Sequence, residues 1–232
     1  EDLGGVTRMS DGNYMREVGS PIHSWFVYRT EGFFQSDEEA KAWMDKYSKK
    51  PGYPFGQEFR AGDLKYADTN NDGSITAEDR ELYKTSDPKF TFGMNLNVGY
   101  KNFDLSMNFT GAAGVGYAFT KEAFGEFSGS AGHPSSAWLD HWTPENRNAS
   151  MPRIAEARKS PSEASTVMSD FWIIDTSYLR MKTLQFGYTF PKHWLEKVGI
   201  QNLRLYYSAE NLLTFDKMPI NVDPETVSER LS

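Results

Sequence analysis

KFTFGMNLNVGYKNFDLSMNFTGAAG, residues 89–114, is the stretch that decides the fold. Phe90, Phe92, Met94, Leu96, Val98 and Tyr100 fall on one face of an extended chain, and Thr91, Gly93, Asn95, Asn97 and Gly99 on the other. Lys101 and Asn102 supply a turn. Phe103, Leu105, Met107 and Phe109 then alternate with Asp104, Ser106, Asn108 and Thr110, so the segment reads as an antiparallel hairpin. Each strand has one apolar face with rings near its ends and one face of small or amide residues. That pattern suits a membrane barrel wall, with lipid outside and a wet or plugged lumen inside. The same periodicity is expected of a half-buried sheet in a soluble sandwich or barrel, and the hairpin alone does not separate the two.

Working outward, FWIIDTSYLRMKTLQFGYTFP (171–191) carries a clean apolar register at Leu184, Phe186, Tyr188 and Phe190. Its phase slips near Leu179 and Met181, as a bulge requires. PKHWLEKVG (191–199) reads as a short helical connector, and Leu203, Leu205, Tyr207 and Ala209 begin another strand. Toward the amino end, IHSWFVYRTEGFF (22–34) reads as a strand. SDEEAKAWMDKY (36–47) reads as a short serine-capped helix that decorates a loop. Expected strands are therefore 22–34, 89–100, 103–117, 172–190 and 202–213, with long connections near 35–88 and 119–170. Long and short connections alternate, which fits one orientation of an outer-membrane barrel. The count is odd, so a further strand is expected after Ser232.

Composition agrees with strands. Aromatic residues make up 15% of the 232 residues, with 19 glycines for turns. The apolar runs are too short for a transmembrane helix, but barrel strands need only about ten residues with alternate ones apolar. Twenty-five basic against 32 acidic residues give a net charge of -7 without a basic cluster, which argues against nucleic acid as a partner. No cysteine is present to form disulfides or thiolate metal sites. No targeting segment opens the sequence, and the start at Glu1 suggests a mature form or an internal fragment.

DTNNDGSITAED, residues 68–79, has the spacing of a calcium loop. Asp68, Asn70 and Asp72 occupy the first, third and fifth positions. Gly73 makes the turn, Ser74 offers a backbone carbonyl at the seventh, and Asp79 closes the shell at the twelfth. Asp79 is one methylene shorter than the usual Glu. The preceding GDLKYA is strand-like, so a lone structural calcium staple is expected, with an Asx-turn of solvated carboxylates as the alternative.

Residues for covalent chemistry do not converge. His23, His133, His141 and His193 are scattered, and Asp140, His141 and Glu145 lie together in a loop without a catalytic pattern. The glycines of GAAGVG (111–116) end a strand and open no helix, so they lack the context of a phosphate loop. Trp138, Trp142, Trp172 and Tyr178 suit loop packing or an interfacial belt, with sugar or peptide stacking as the other reading.

The segments VGSPIHSWFVYRTEGFFQ (18–35), GDLKYADTNNDGSITAEDR (62–80), the 87–114 hairpin, WTPENRN (142–148), the 177–215 stretch and DPE (223–225) occur together in this order. In that order they resemble the C-terminal barrel portion of the SusC/RagA family of TonB-dependent outer-membrane transporters, typical of Bacteroidetes. The resemblance implies an all-β fold: a transmembrane antiparallel β-barrel, of which this chain is a C-terminal fragment of a 22-stranded plugged barrel. Residues 1–232 would then form a partial barrel domain, without plug or final strand, of a multi-pass protein of the bacterial outer membrane. It further implies import of oligosaccharides or oligopeptides with a SusD-like surface lipoprotein, energised through TonB, with outer-membrane lipid around the wall. A secreted, calcium-stabilised β-rich binding module and a carbohydrate hydrolase are the competing expectations; the latter would need paired carboxylates on facing strands.

Overall fold

A computed structural model of the chain describes residues 8–49, 51–56, 58–119, 135–155, 160–161, 163–218 and 222–225. In chain order the elements are β1 (Arg8–Asp11), β2 (Tyr14–Glu17), β3 (Ser24–Tyr28), β4 (Thr30–Phe33), α1 (Asp37–Tyr47), β5 (Leu64–Tyr66) and β6 (Arg80–Thr85). These lead into β7 (Phe90–Tyr100), β8 (Phe103–Ala113) and β9 (Gly116–Ala118). The short pair β10 (Ile154–Ala155) and β11 (Ser160–Pro161) follows, then β12 (Ile173–Asp175), β13 (Tyr178–Thr189), α2 (Lys192–Leu195) and β14 (Arg204–Asp216). They fall into two units. One comprises Glu1–Asp87, Gly116–Asp175 and Met218–Asp223, and the other Pro88–Val115, Thr176–Lys217 and Pro224–Ser232.

The second unit is a four-stranded antiparallel sheet in the order β14-β13-β8-β7. Its hairpin is in perfect register from Phe90 opposite Ala113 to Tyr100 opposite Phe103, around the Lys101–Asn102 turn. Lys101 takes a left-handed φ of 54°, which suits a two-residue hairpin turn. The bulge expected near Leu179 and Met181 is present. Met181 and Thr183 oppose the adjacent residues Phe109 and Asn108, leaving Lys182 as the extra residue. On the other side Met181 and Thr183 oppose Leu213 and Glu210. Asn211, between those two, has a left-handed φ of 50°. The extra residue Lys182 re-phases β13, so that Met181 and Leu179 stay on the face of Leu184 and Phe186, while the two unpaired residues Asn211 and Leu212 leave the phase of β14 unchanged.

The first unit is built differently. β3 is buried at all five positions and lies in the sheet β1-β2-β3-β6. Trp25, Val27 and Ile173 form a core joined by Tyr14, Ala118 and Met168. Tyr14 stacks on Trp25 at 4.3 Å between ring centroids, and the Trp25 indole donates to the Gly116 carbonyl at 2.7 Å. α1 is capped as its sequence dictates: Ser36 Oγ accepts from Glu39 N–H, and Glu39 accepts from Gln35 N–H at 2.8 Å. It buries Trp43 among Phe34, Phe55 and Phe59, with Tyr66 behind them.

Three expectations are corrected here. The 22–34 segment is not one wall strand, because it breaks at Arg29. β3 pairs with β6, and β4 with β5. The described wall therefore has four strands and not five, and the odd count loses its support. The 172–190 and 103–117 segments are each divided, and their short pieces β9 and β12 pair with one another in the first unit. Finally, α1 is no ornament, since its Trp43 lies within an aromatic core.

Candidate functional site

The wall is the first candidate, because its register sorts side chains into two surfaces. Rows across the sheet read Tyr100–Phe103–Tyr188–Leu205, Val98–Leu105–Phe186–Tyr207, Leu96–Met107–Leu184–Ala209 and Met94–Phe109–Met181–Leu213. A fifth row joins Phe92, Gly111, Leu179 and Phe215, and here the Phe92 ring occupies the space where a Cβ on Gly111 would lie. These rows form a continuous apolar face, and within the unit most of it is uncovered, from Phe92 and Met94 to Leu205 and Phe215.

The opposite face is polar. Ser106 Oγ donates to Asn97 Oδ1 at 2.7 Å, and the Asn108 amide donates to Asn95. Arg204 on β14 reaches across β13 to Asp104 on β8, with Nε 3.2 Å from Oδ1. Gly187 lies beneath this pair, and any Cβ there would meet the carboxylate and guanidinium at 2.6–2.7 Å. Farther along, Arg180 is nearly buried and donates to Thr214 Oγ1 at 3.0 Å and to Glu225 at 2.9 Å. The bulge residue Lys182 also pairs with Glu225. Glu225 belongs to the DPE segment after β14, so this cluster ties a later turn of chain to the polar face. Its only trace in the sequence is that Arg180 and Lys182 bracket the phase slip.

The calcium-type loop is the second candidate. Its backbone wraps the side-chain oxygens: Asp68 accepts from Asp72 N–H at 3.1 Å and Gly73 N–H at 2.9 Å, and Asn70 accepts from Asp72 N–H at 2.9 Å. Asp72 accepts from Ser74 N–H at 2.9 Å. Asn71 and Gly73 supply the left-handed turns, with φ of 58° and 79°. Asp79 is fully buried, and its two oxygens accept from Thr69 N–H at 3.0 Å and Thr76 N–H at 2.8 Å. Ile75 is also fully buried and pins the loop to its unit. Every donor that Asp68, Asn70, Asp72, the Ser74 carbonyl and Asp79 offer is a hard oxygen, the chemistry calcium takes. Among the described residues no three Asp, Glu or His side chains converge as a metal cluster, so a bound ion would draw on the amide and carbonyl oxygens as well.

The acid–base candidates are engaged in holding loops. Asp140 accepts from the Asn146 amide at 2.8 Å and Ser150 N–H at 3.0 Å, and these hydrogen bonds hold its carboxyl below the usual carboxylate range. His141 Nδ1 lies 2.7 Å from the Trp138 carbonyl, and His23 lies 2.8 Å from Asp87. His133 lies outside the described residues. Trp138, Trp142 and Trp172 are buried, so they pack loops; Trp142 lies over Gly62, whose φ of 86° brings the backbone against the indole. Beside it, fully buried Asp63 accepts from Arg153 Nε at 2.7 Å and Ser165 Oγ at 3.3 Å, a link between residues 90 and 102 apart in sequence that no local pattern announces.

No family model matches the sequence. TonB-dependent receptor P3 of Formosa agariphila is 32% identical over 212 residues, covering 89% of this chain and 19% of that protein. TonB-dependent receptor SusC of Bacteroides thetaiotaomicron is 26% identical over 166 residues, covering 70% of this chain and 15% of that protein. Among solved structures, the RagAB peptide importer in its open-open state superposes with a TM-score of 0.63 at 20% identity, covering 97% of this chain and 22% of that one. The chain thus spans about a fifth of the length of these relatives. Its fold is a portion of their barrel, and no closed barrel is formed among the described residues. Sequence and fold agree that the chain belongs to the SusC/RagA family of TonB-dependent receptors, as a barrel portion.

Proposed function

We propose that this chain is part of the wall and external loops of an energy-coupled importer in the bacterial outer membrane, one that takes up oligosaccharides or oligopeptides with a SusD-like surface lipoprotein and TonB. The observation that carries the proposal is the sheet with five apolar rows on one face and hydrogen-bonded amides and ion pairs on the other. In lipid, ladder hydrogen bonds satisfy the backbone and the apolar rows hold the wall in hydrocarbon. The polar face would line the plug and passage. Loops on the outer side, assigned to 35–88 and 119–170, would bind substrate, and plug movement would release it by changing its affinity between two states. A soluble binding module would require a second sheet over the apolar rows, and the wall unit by itself holds only the one sheet among its described residues.

The test is made on the full receptor. Outer-membrane fractionation, a mobility shift on boiling and loss of uptake of labelled oligosaccharide and oligopeptide mixtures in a deletion strain are expected. A soluble product without the shift overturns the wall reading, and unchanged uptake of both mixtures overturns the import reading.

The 68–79 loop is assigned to a structural calcium ion held by Asp68, Asn70, Asp72, Ser74 and Asp79. Chelation is expected to expose Ile75 and its neighbours to hydrogen exchange, and Asp72→Asn to reproduce that exposure without chelator. Identical exchange with and without calcium would remove the assignment.

A further inference from the structure

The connector between β13 and β14 is not used by any function above, yet its surface is unusual. Residues 191–203 leave the sheet at the end where Tyr100, Phe103, Tyr188 and Leu205 close the apolar face. Phe103 and Tyr188 are 4.6 Å apart, and Tyr188 and Phe190 5.0 Å, so rings cluster at this rim. The connector is fixed to the rim by Phe190 N–H to the Leu203 carbonyl at 2.9 Å, and folded on itself by Ile200 N–H to the Leu195 carbonyl at 3.1 Å. Leu195 is its buried pin, whereas Trp194, Val198 and Ile200 are exposed by 55%, 66% and 42%.

Charge accompanies these apolar groups. Lys101 in the adjacent turn, Lys192 and Lys197 are exposed, and among the described residues none is paired with a carboxylate. Three lysines against Glu196 give this rim a net charge of +2 on a chain of -7. Amphipathic segments with rings or aliphatics beside lysine are the kind that lie in a membrane interface, where long basic side chains reach phosphates.

We propose that residues 191–203, together with Lys101, form an interfacial anchor for phospholipid: the three lysines engage headgroup phosphates while Trp194, Val198 and Ile200 enter the acyl boundary. The inference rests on the barrel-wall reading and adds the lipid headgroup as a specific partner. Continuity with the apolar face and the local positive charge favour lipid over a protein docked at the same rim.

The experiment uses full-length receptor without other reactive cysteines, reconstituted in phosphatidylcholine nanodiscs with or without phosphatidylglycerol. Spin labels are placed singly at Val198→Cys and Leu205→Cys, the latter a control on the wall. Both labels are expected to be broadened more by oxygen than by an aqueous nickel chelate. Phosphatidylglycerol should raise the melting temperature of the receptor, and the triple substitution Lys101→Gln, Lys192→Gln, Lys197→Gln should abolish that rise. A water-exposed label at 198 with a lipid-exposed label at 205 overturns the anchor and leaves the wall reading intact. Protection of 198 from both reagents, signifying a protein partner, also overturns it, as does a melting rise that survives the triple substitution. A label at 205 in water overturns the wall reading itself.

Discussion

The wall unit and the loop unit draw on the same aromatic-rich composition and use it in opposite ways. In the wall, Phe92, Met94, Phe186, Leu205 and Phe215 point out from a sheet one residue thick, and nothing within the unit covers them. In the loop unit, Phe34, Trp43, Phe55, Phe59 and Tyr66 face one another, with neighbouring centroids 4.5–6.2 Å apart, and are buried. The difference teaches that burial inside the chain is only one way to remove apolar surface from water. The loop unit obtains it by packing, whereas the wall, on the function proposed above, leaves it to lipid.

Substitutions that affect one unit and spare the other test this contrast. The largest effect is expected in the aromatic core, where Trp43→Ala leaves a cavity and removes the indole hydrogen bond to the Tyr66 carbonyl. A loss of about 3–5 kcal/mol is expected, seen as faster hydrogen exchange in β3, β5 and β6 while β8 and β13 stay protected. Next, Leu184→Arg in the middle apolar row is expected to cost about 2–4 kcal/mol of folding into membranes. Gln185→Arg, one residue on and on the polar face, should cost far less. Equal losses in refolding titrations would mean that the two faces are not in different solvents.

Gly187→Val is expected to part Arg204 from Asp104 and lower the midpoint of refolding titrations, by less than Leu184→Arg does. The same substitution in an Asp104→Asn background should cost less, since the pair is already weakened. The smallest effect is at Tyr53, whose buried hydroxyl has no hydrogen-bond partner among the described residues and whose pKa burial pushes up to about 12. Tyr53→Phe should be neutral or stabilising by up to about 1 kcal/mol. Because the unfolded phenol ionises first, near its ordinary value of 10, the loop unit should lose stability between about pH 10 and 12. Melting curves should show a smaller loss across that window in the Phe variant.

These regions also differ in how far their sequence discloses them. The hairpin from Phe90 to Ala113 is legible because strand alternation is local, and each residue's face follows from its neighbours. The bulge is legible for the same reason, since a phase slip at Met181 has to be absorbed nearby. β3 is not, because Trp25, Phe26, Val27 and Tyr28 are all buried and an uninterrupted apolar run carries no face signal. The Asp63–Arg153 pair, the Arg180–Lys182–Glu225 cluster and the bridge over Gly187 join residues tens of positions apart, and their composition is that of ordinary surface charge. The spacing of Asp68, Asn70 and Asp72 is plain in sequence. Its folding shows something further: Asp79 closes the loop through backbone N–H groups.

By itself the sequence determined which side of each wall strand is apolar, where the register must slip and where the 68–79 loop turns on Asp68, Asn70, Asp72 and Gly73. These are consequences of strand period and turn geometry acting over a few residues. Only the tertiary structure decided that β3 and β4 leave the wall for a separate unit, that Trp43 is core, and that Arg204 spans a glycine to reach Asp104. Strand pairing and burial are set by competition among distant segments for the same edges and cavities, and a local pattern does not encode which segment wins.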